Sequence, residues 1–206
     1  LAAKPDFSYR RFIENLVKRN YAVHAYRYIP QFDHQEISNK AWKDFKNCKK
    51  VLVKRLSKEL QTIRVGHSLG CKLHLISPDG GRNCENFISI SFNNFSANNS
   101  IPLLQNISKK LDFRSEFSPS PIRTLKIINN NYIQNKNLLI KFDSDKLDQT
   151  ESLLSALKLR ENDNSKGLLM KGNHTLIASA GLREDLLGEW ADDNLKRKTI
   201  EKISHL

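Results

Sequence analysis

The sequence predicts an α/β fold: a mostly parallel sheet covered on both faces by helices. Two observations carry this. Short apolar, β-branched segments recur along the chain, and stretches with helical periodicity separate them. The size agrees, since 206 residues with 39% apolar content suit one domain with a substantial core, spanning 1–206.

The elements follow in order. Pro5 opens a helix over Phe7–Val17, with Tyr9, Phe12, Ile13, Leu16 and Val17 on one face. Tyr21–Ile29 is aromatic and β-branched and stops at Pro30, which predicts a strand. Residues 34–60 have a helical pattern in which Ala41, Phe45, Cys48, Leu52, Leu56 and Leu60 form an apolar stripe. Lys43, Lys46, Lys50, Lys54 and Lys58 lie largely opposite, as a solvated face or a row suited to an anionic membrane surface. Short strands are predicted at Thr62–Val65, Asn86–Phe92, Asn137–Phe142 and Gly167–Lys171, with helices at Glu151–Arg160 and Leu182–Ile203. Residues 93–136 lie between two strands and are too long for a simple crossover. They hold two helical stretches, Ile101–Leu111 and Pro121–Tyr132, around Glu116–Pro121, and such an insertion is expected to form a lid or cap.

Composition narrows the function classes. Thirty-four Lys and Arg against 22 Asp and Glu give a net charge of +12, which favours anionic partners. The basic residues are spread along the chain, aromatics make up only 8%, and no nucleic-acid motif is present, so a nucleic-acid role is not expected. Biased composition, visible also in 20 Asn, accounts for the charge as well. Cys48, Cys71 and Cys84 have no CxxC spacing, so neither a disulfide framework nor a metal site is expected, and a reducing, cytoplasmic compartment is. No apolar run approaches the ~18 residues of a membrane span. Residues 1–18 do not read as a secretory signal, and with Met170 the only methionine the natural start is expected upstream of Leu1.

One motif carries chemistry. Gly66-His67-Ser68-Leu69-Gly70 follows a predicted strand and precedes the apolar run Cys71–Ile76. This is G-x-S-x-G in a strand–turn–helix setting, a nucleophile elbow. The turn is tight enough to strain the serine backbone, and the residues two before and two after are expected to be glycine because a Cβ there would make strand and helix collide. Such a turn lifts the Ser68 hydroxyl above the sheet edge and leaves the Leu69 N–H facing a developing oxyanion.

A serine needs a base, and the base needs an orienting carboxylate. Around an elbow serine these follow in the chain order serine, acid, histidine. His24, His34 and His67 come too early, and His74 lies on the elbow helix itself. Of the remaining pair, His205 stands near the chain end in a helix, whereas His174 sits in Gly172-Asn173-His174-Thr175 after the last strand, where a loop can aim it at the serine. The turn after Phe142 offers Asp145, three residues past the strand, then Asp148 as second choice and Asp143 as third. Asp148 could instead cap the following helix. No cofactor or metal is expected for this chemistry.

Taken together, Gly66–His74, Ser91–Ser96, Phe117–Pro121, Leu139–Phe142 and Phe32-Asp33-His34 give the chain a resemblance to a family of α/β-hydrolase-like proteins from cyanobacteria and plastids, classed as a domain of unknown function. The resemblance covers nearly the whole chain. It implies an α/β-hydrolase fold, an esterase, lipase or thioesterase-like activity on a small acyl substrate, and a cytoplasmic or stromal location. It also implies a preceding strand and a second oxyanion N–H at or before the first residues. Phe32 and His34 are expected near the pocket at the carboxyl edge of the sheet, with Asn94 and Phe95 beside them as substrate-binding residues. The alternative is a scaffold that binds rather than catalyses, docking on an anionic membrane through the lysine row.

Overall fold

The computed structural model describes residues 4–97, 116–178 and 194–206. The chain forms two compact units, residues 31–171 and residues 1–30 with 172–206. The predicted helix at Ile101–Leu111 and the first part of the one at Leu182–Ile203 lie outside the described residues.

The larger unit contains four strands: β1 (Ile63–His67), β2 (Asn86–Ile90), β3 (Asn137–Phe142) and β4 (Lys166–Met170). They pair in sequence order and all in parallel, with Val65 opposite Ile88, Ile88 opposite Leu138 and Ile140 opposite Leu168. All four carboxyl ends therefore share one edge, and the chain leaves each strand there. Helices α4 (Leu69–Leu75), α5 (Pro121–Asn131) and α6 (Thr150–Lys158) follow β1, β2 and β3.

The core forms where these helices meet the sheet. Phe87 and Leu139 pack with Cys71 and Leu75 of α4, Ile128 of α5, and Leu153 and Leu157 of α6. Each large apolar side chain buried here stabilises the fold by about 1.5–3 kcal/mol. Leu139 and Ile140 are both fully buried. Successive strand residues point to opposite faces, so both faces of the sheet are covered, as a parallel sheet requires.

Helix α3 (His34–Leu56) begins at Asp33, whose carboxylate accepts the Glu36 amide at 2.8 Å. Its first turns dock on α4: Ser38 Oγ donates to Leu73 O at 2.7 Å and Gln35 Nε2 to Ile76 O at 2.9 Å. The expected apolar stripe is not buried along its length. Leu56 is 52% exposed and Cys48 is exposed. Periodicity marks a face able to be buried, but a packing partner must cover it.

The start of β1 is tied to the turn after α4 by a buried ion pair. Arg64 Nη2 lies 2.6 Å from Asp79 Oδ2, which also accepts the Asn83 amide at 3.1 Å, while Oδ1 accepts Ser77 Oγ at 2.8 Å. Burial works to raise the Asp79 pKa, but Arg64 and these donors prevail and hold it down to about 2.

In the smaller unit the predicted first helix is divided. Tyr9 (φ −124°, ψ 25°) separates α1 (Pro5–Ser8) from α2 (Arg10–Lys18), and α7 (Asn194–Ser204) packs against α2. The predicted strand at Tyr21–Ile29 is not one: those residues have no regular secondary structure, and Tyr21, Val23 and Ile29 are exposed. Their composition favours a pleated, half-buried surface, but a strand also needs a neighbour to complete its hydrogen bonds.

Candidate active site

Ser68 stands between β1 and α4 with φ 54° and ψ −124°, a conformation that costs an L-residue of order 1–3 kcal/mol. Three contacts impose it. The Ser68 amide donates to Ile90 O on the neighbouring strand at 3.0 Å, and its carbonyl accepts the Cys71 amide at 3.1 Å. Gly66 supplies the third, because a Cβ there would lie 2.7 Å from both Cα and N of Cys71. The steric account holds for Gly66 and fails for Gly70, where a Cβ would meet nothing within 4 Å among the described residues.

A cavity of about 220 Å³ opens beside the serine. Ser68, Leu69, His34, Asn94 and Phe95, all expected at the site, line it together. Phe32 is not among the lining residues; its ring packs 5.6 Å from that of Phe117, which is. Phe117 is an apolar residue of the expected lid, while Lys72, Asn93 and Leu147 complete the wall and were not anticipated. Lys72 had a legible signal only in lying on the elbow helix, one turn into α4.

A long-range pairing builds this wall. Residues 32–35 lie alongside 117–118, with Ser118 N donating to Phe32 O at 2.9 Å and Gln35 N to Ser118 O at 3.0 Å. That pairing stacks the His34 ring on Phe117, centroids 4.2 Å apart. Lys72 Nζ then donates to Pro119 O at 2.8 Å and sits 5.8 Å from the Phe117 ring centroid. On the far side Asn94 is a brace: its amide donates to Gln149 Oε1 at 2.6 Å and its Nδ2 to Pro121 O at 3.0 Å.

The electrostatics follow from burial. Burial, reinforced by Lys72, lowers the His34 pKa to about 4 against an opposing pull from Asp33, so the imidazole is neutral near pH 7. Burial also lowers Lys72 to about 8, with Glu116 opposing, so its ammonium remains mostly charged there.

The candidate acids differ in surroundings. Asp145 is buried and its Oδ1 accepts the Leu147 amide at 2.9 Å. Both oxygens of Asp148 are engaged by Thr150, Oδ1 by its amide at 2.9 Å and Oδ2 by its hydroxyl at 2.8 Å, a turn that leads into α6, whose N-cap is Gln149. Burial raises the Asp148 pKa. Asp143 is exposed and accepts Ser144 Oγ at 3.1 Å.

His174 belongs to the smaller unit, in a turn shaped by Asn173, whose carbonyl accepts the Leu176 amide and whose Oδ1 accepts the Thr175 amide, both at 3.1 Å. His205 follows α7, and its ring meets the Arg19 guanidinium. On the elbow helix, His74 Nε2 lies 3.1 Å from Val65 O, a structural contact within the larger unit.

Comparison with known proteins agrees with this architecture. A family model described as Protein of unknown function (DUF1350) matches residues 1–196. No curated protein matches the sequence. A monoacylglycerol lipase of Paleococcus ferrophilus superposes with a TM-score of 0.55 at 14% identity, over 96% of this chain and 88% of that one. An esterase of Pyrococcus furiosus superposes with a TM-score of 0.51 at 13% identity, over 97% and 77%. At such identities the likeness carries the fold alone, and that fold is the α/β-hydrolase fold.

Proposed function

We propose that this chain, which belongs to the DUF1350 family, is a serine hydrolase acting on an ester or thioester of a small acyl substrate. One observation carries the reading: Ser68 is held in a strained conformation at the wall of a cavity, directly after a parallel strand. Strain of this kind persists only where surrounding contacts impose it, and it gathers at reacting groups. Neighbours of the same fold that are named as a lipase and an esterase are consistent with it.

In this mechanism His174 takes the Ser68 proton as Oγ attacks the substrate carbonyl carbon, and Asp145 holds the imidazole in the required tautomer. The Leu69 N–H stabilises the tetrahedral oxyanion. Collapse breaks the bond to the leaving oxygen or sulfur, which takes the proton from His174. Water, deprotonated by the same imidazole, then releases the acid and restores Ser68. Asp145 is the first choice of acid from its place three residues past Phe142, with Asp148 second. Asn93–Phe95 at the start of the 93–136 segment and Phe117 near its middle line the cavity and support its reading as a cap. A cyanobacterial or plastid source, and action in cytoplasm or stroma, rest on the family resemblance.

Hydrolysis of short p-nitrophenyl esters tests the assignment. Ser68→Ala and His174→Gln are expected to lower kcat by about 10³-fold or more, and Asp145→Asn by a similar factor, whereas Asp148→Asn lowers Tm more than kcat. Equal rates in Ser68→Ala and wild type would refute it.

A second reading, docking on an anionic membrane, is favoured by the outer face of α3. Lys43, Lys46, Lys50 and Lys54 are exposed there. No helix of the described residues is long and apolar enough to cross a membrane, so contact would be peripheral. Sedimentation with anionic vesicles that falls as salt rises, unchanged by Ser68→Ala, supports it; no binding at low salt ends it.

A further inference from the structure

Lys72 is only 1% exposed, yet it carries an ammonium group into the cavity wall. Taking such a charge out of water is expensive unless it is paired. Among the described residues no carboxylate lies within ion-pair distance of Lys72, and its one hydrogen bond goes to Pro119 O. An ammonium has three donors, so two remain beyond this bond. Lys72 stands on the elbow helix four residues past Ser68, and both line the same cavity.

Two further polar groups of the lining have unmet needs. His34 Nδ1 and Asn94 Oδ1 are buried without a hydrogen-bond partner among the described residues, although both side chains are more than 90% buried. A bare alkyl chain in the cavity would offer no partner to these two atoms and no countercharge to the ammonium. Leu69, Phe95, Phe117 and Leu147 provide apolar wall enough for a few methylene groups.

We propose that Lys72 is the specificity-determining residue of the cavity and that the acyl group hydrolysed at Ser68 carries a negative charge, a carboxylate or a phosphate. This rests on the hydrolase reading. The ammonium complements the anionic oxygen, while His34 and Asn94 satisfy the polar stem that joins it to the reacting carbonyl. The tie to Pro119 fixes the lysine without neutralising it, because a carbonyl carries no formal charge.

The test compares p-nitrophenyl hydrogen glutarate with p-nitrophenyl valerate, equal in chain length and different in charge, on the full chain at pH 7 and low salt. The ratio of their kcat/KM values is expected to exceed about tenfold in wild type, to collapse to about one in Lys72→Met and to be largely restored in Lys72→Arg. A wild-type ratio at or below one overturns the proposal, whatever becomes of the variants. If Lys72→Met does not fold, a wild-type ratio that falls with added salt supports it and a salt-independent one overturns it. Competition by glutarate identifies a carboxylate and by inorganic phosphate a phosphate; competition by neither overturns the charge. Should neither ester be hydrolysed, it is the hydrolase reading that fails. Calorimetric titration with glutarate then decides the anion site separately: binding lost in Lys72→Met upholds it, and no binding overturns it.

Discussion

A Cβ on Gly66 would lie 2.7 Å from the backbone of Cys71, so the strand leading into Ser68 and the helix leaving it touch without room for one methyl group. Backbone cannot swing aside as a side chain can. Gly66→Ala is therefore expected to open the elbow and destabilise the protein by about 2 kcal/mol or more, with loss of hydrolysis. Gly70→Ala adds a methyl to open space within α4 and is expected to be neutral or stabilising by up to about 1 kcal/mol. Chemical denaturation of the two variants checks both; equal losses would refute the steric asymmetry.

Strain at Ser68 predicts a conflict between stability and chemistry. Its φ of 54° suits glycine better than serine. Ser68→Gly is expected to remove catalysis while raising stability by about 1 kcal/mol, read as an increase in Tm. A decrease in Tm would mean that the serine is not strained in solution.

How much of this was legible beforehand depends on whether the cause was local. The strands were readable because buried parallel strands are short apolar runs between turn residues, and Asn137–Phe142 has the predicted ends. The elbow was readable because its steric demand falls within five residues. Tyr21–Ile29 misled, since strand propensity says nothing about whether a neighbour exists to pair with. The apolar stripe of α3 misled for the same reason, as Cys48 and Leu56 find too little to cover them. Phe117 and the stacking of His34 on it arise from pairing residues more than 80 positions apart, which no local pattern announces.

The Arg64–Asp79 pair predicts a specific acid response. Asp79 is held near 2, below the 3.8 of an ordinary aspartate, so its stabilisation is complete above about pH 4 and is lost as pH falls through about 2. Asp79→Asn leaves Arg64 buried without a countercharge and is expected to cost about 3 kcal/mol near neutral pH. Denaturation of wild type and variant at pH 7 and pH 2.5 should show the difference shrinking at the lower pH.

His34 predicts a second window, at milder acidity. Its folded pKa is near 4 against 6.5 for a free imidazole, so the unfolded chain takes up the proton first. Stability is expected to fall as pH drops from about 6.5 towards 4, by an amount of order 3 kcal/mol. His34→Phe, which keeps a ring against Phe117, should flatten that part of the curve. An unchanged pH dependence in the variant would place the titrating group elsewhere.

Labelling by a fluorophosphonate probe bears on the nucleophile most directly, because phosphonylation needs an activated hydroxyl and marks the atom that attacked. The full chain should gain one adduct, mapped by peptide mass spectrometry to Ser68, and Ser68→Ala should gain none. An adduct on another residue, or labelling that persists in Ser68→Ala, would contradict the account.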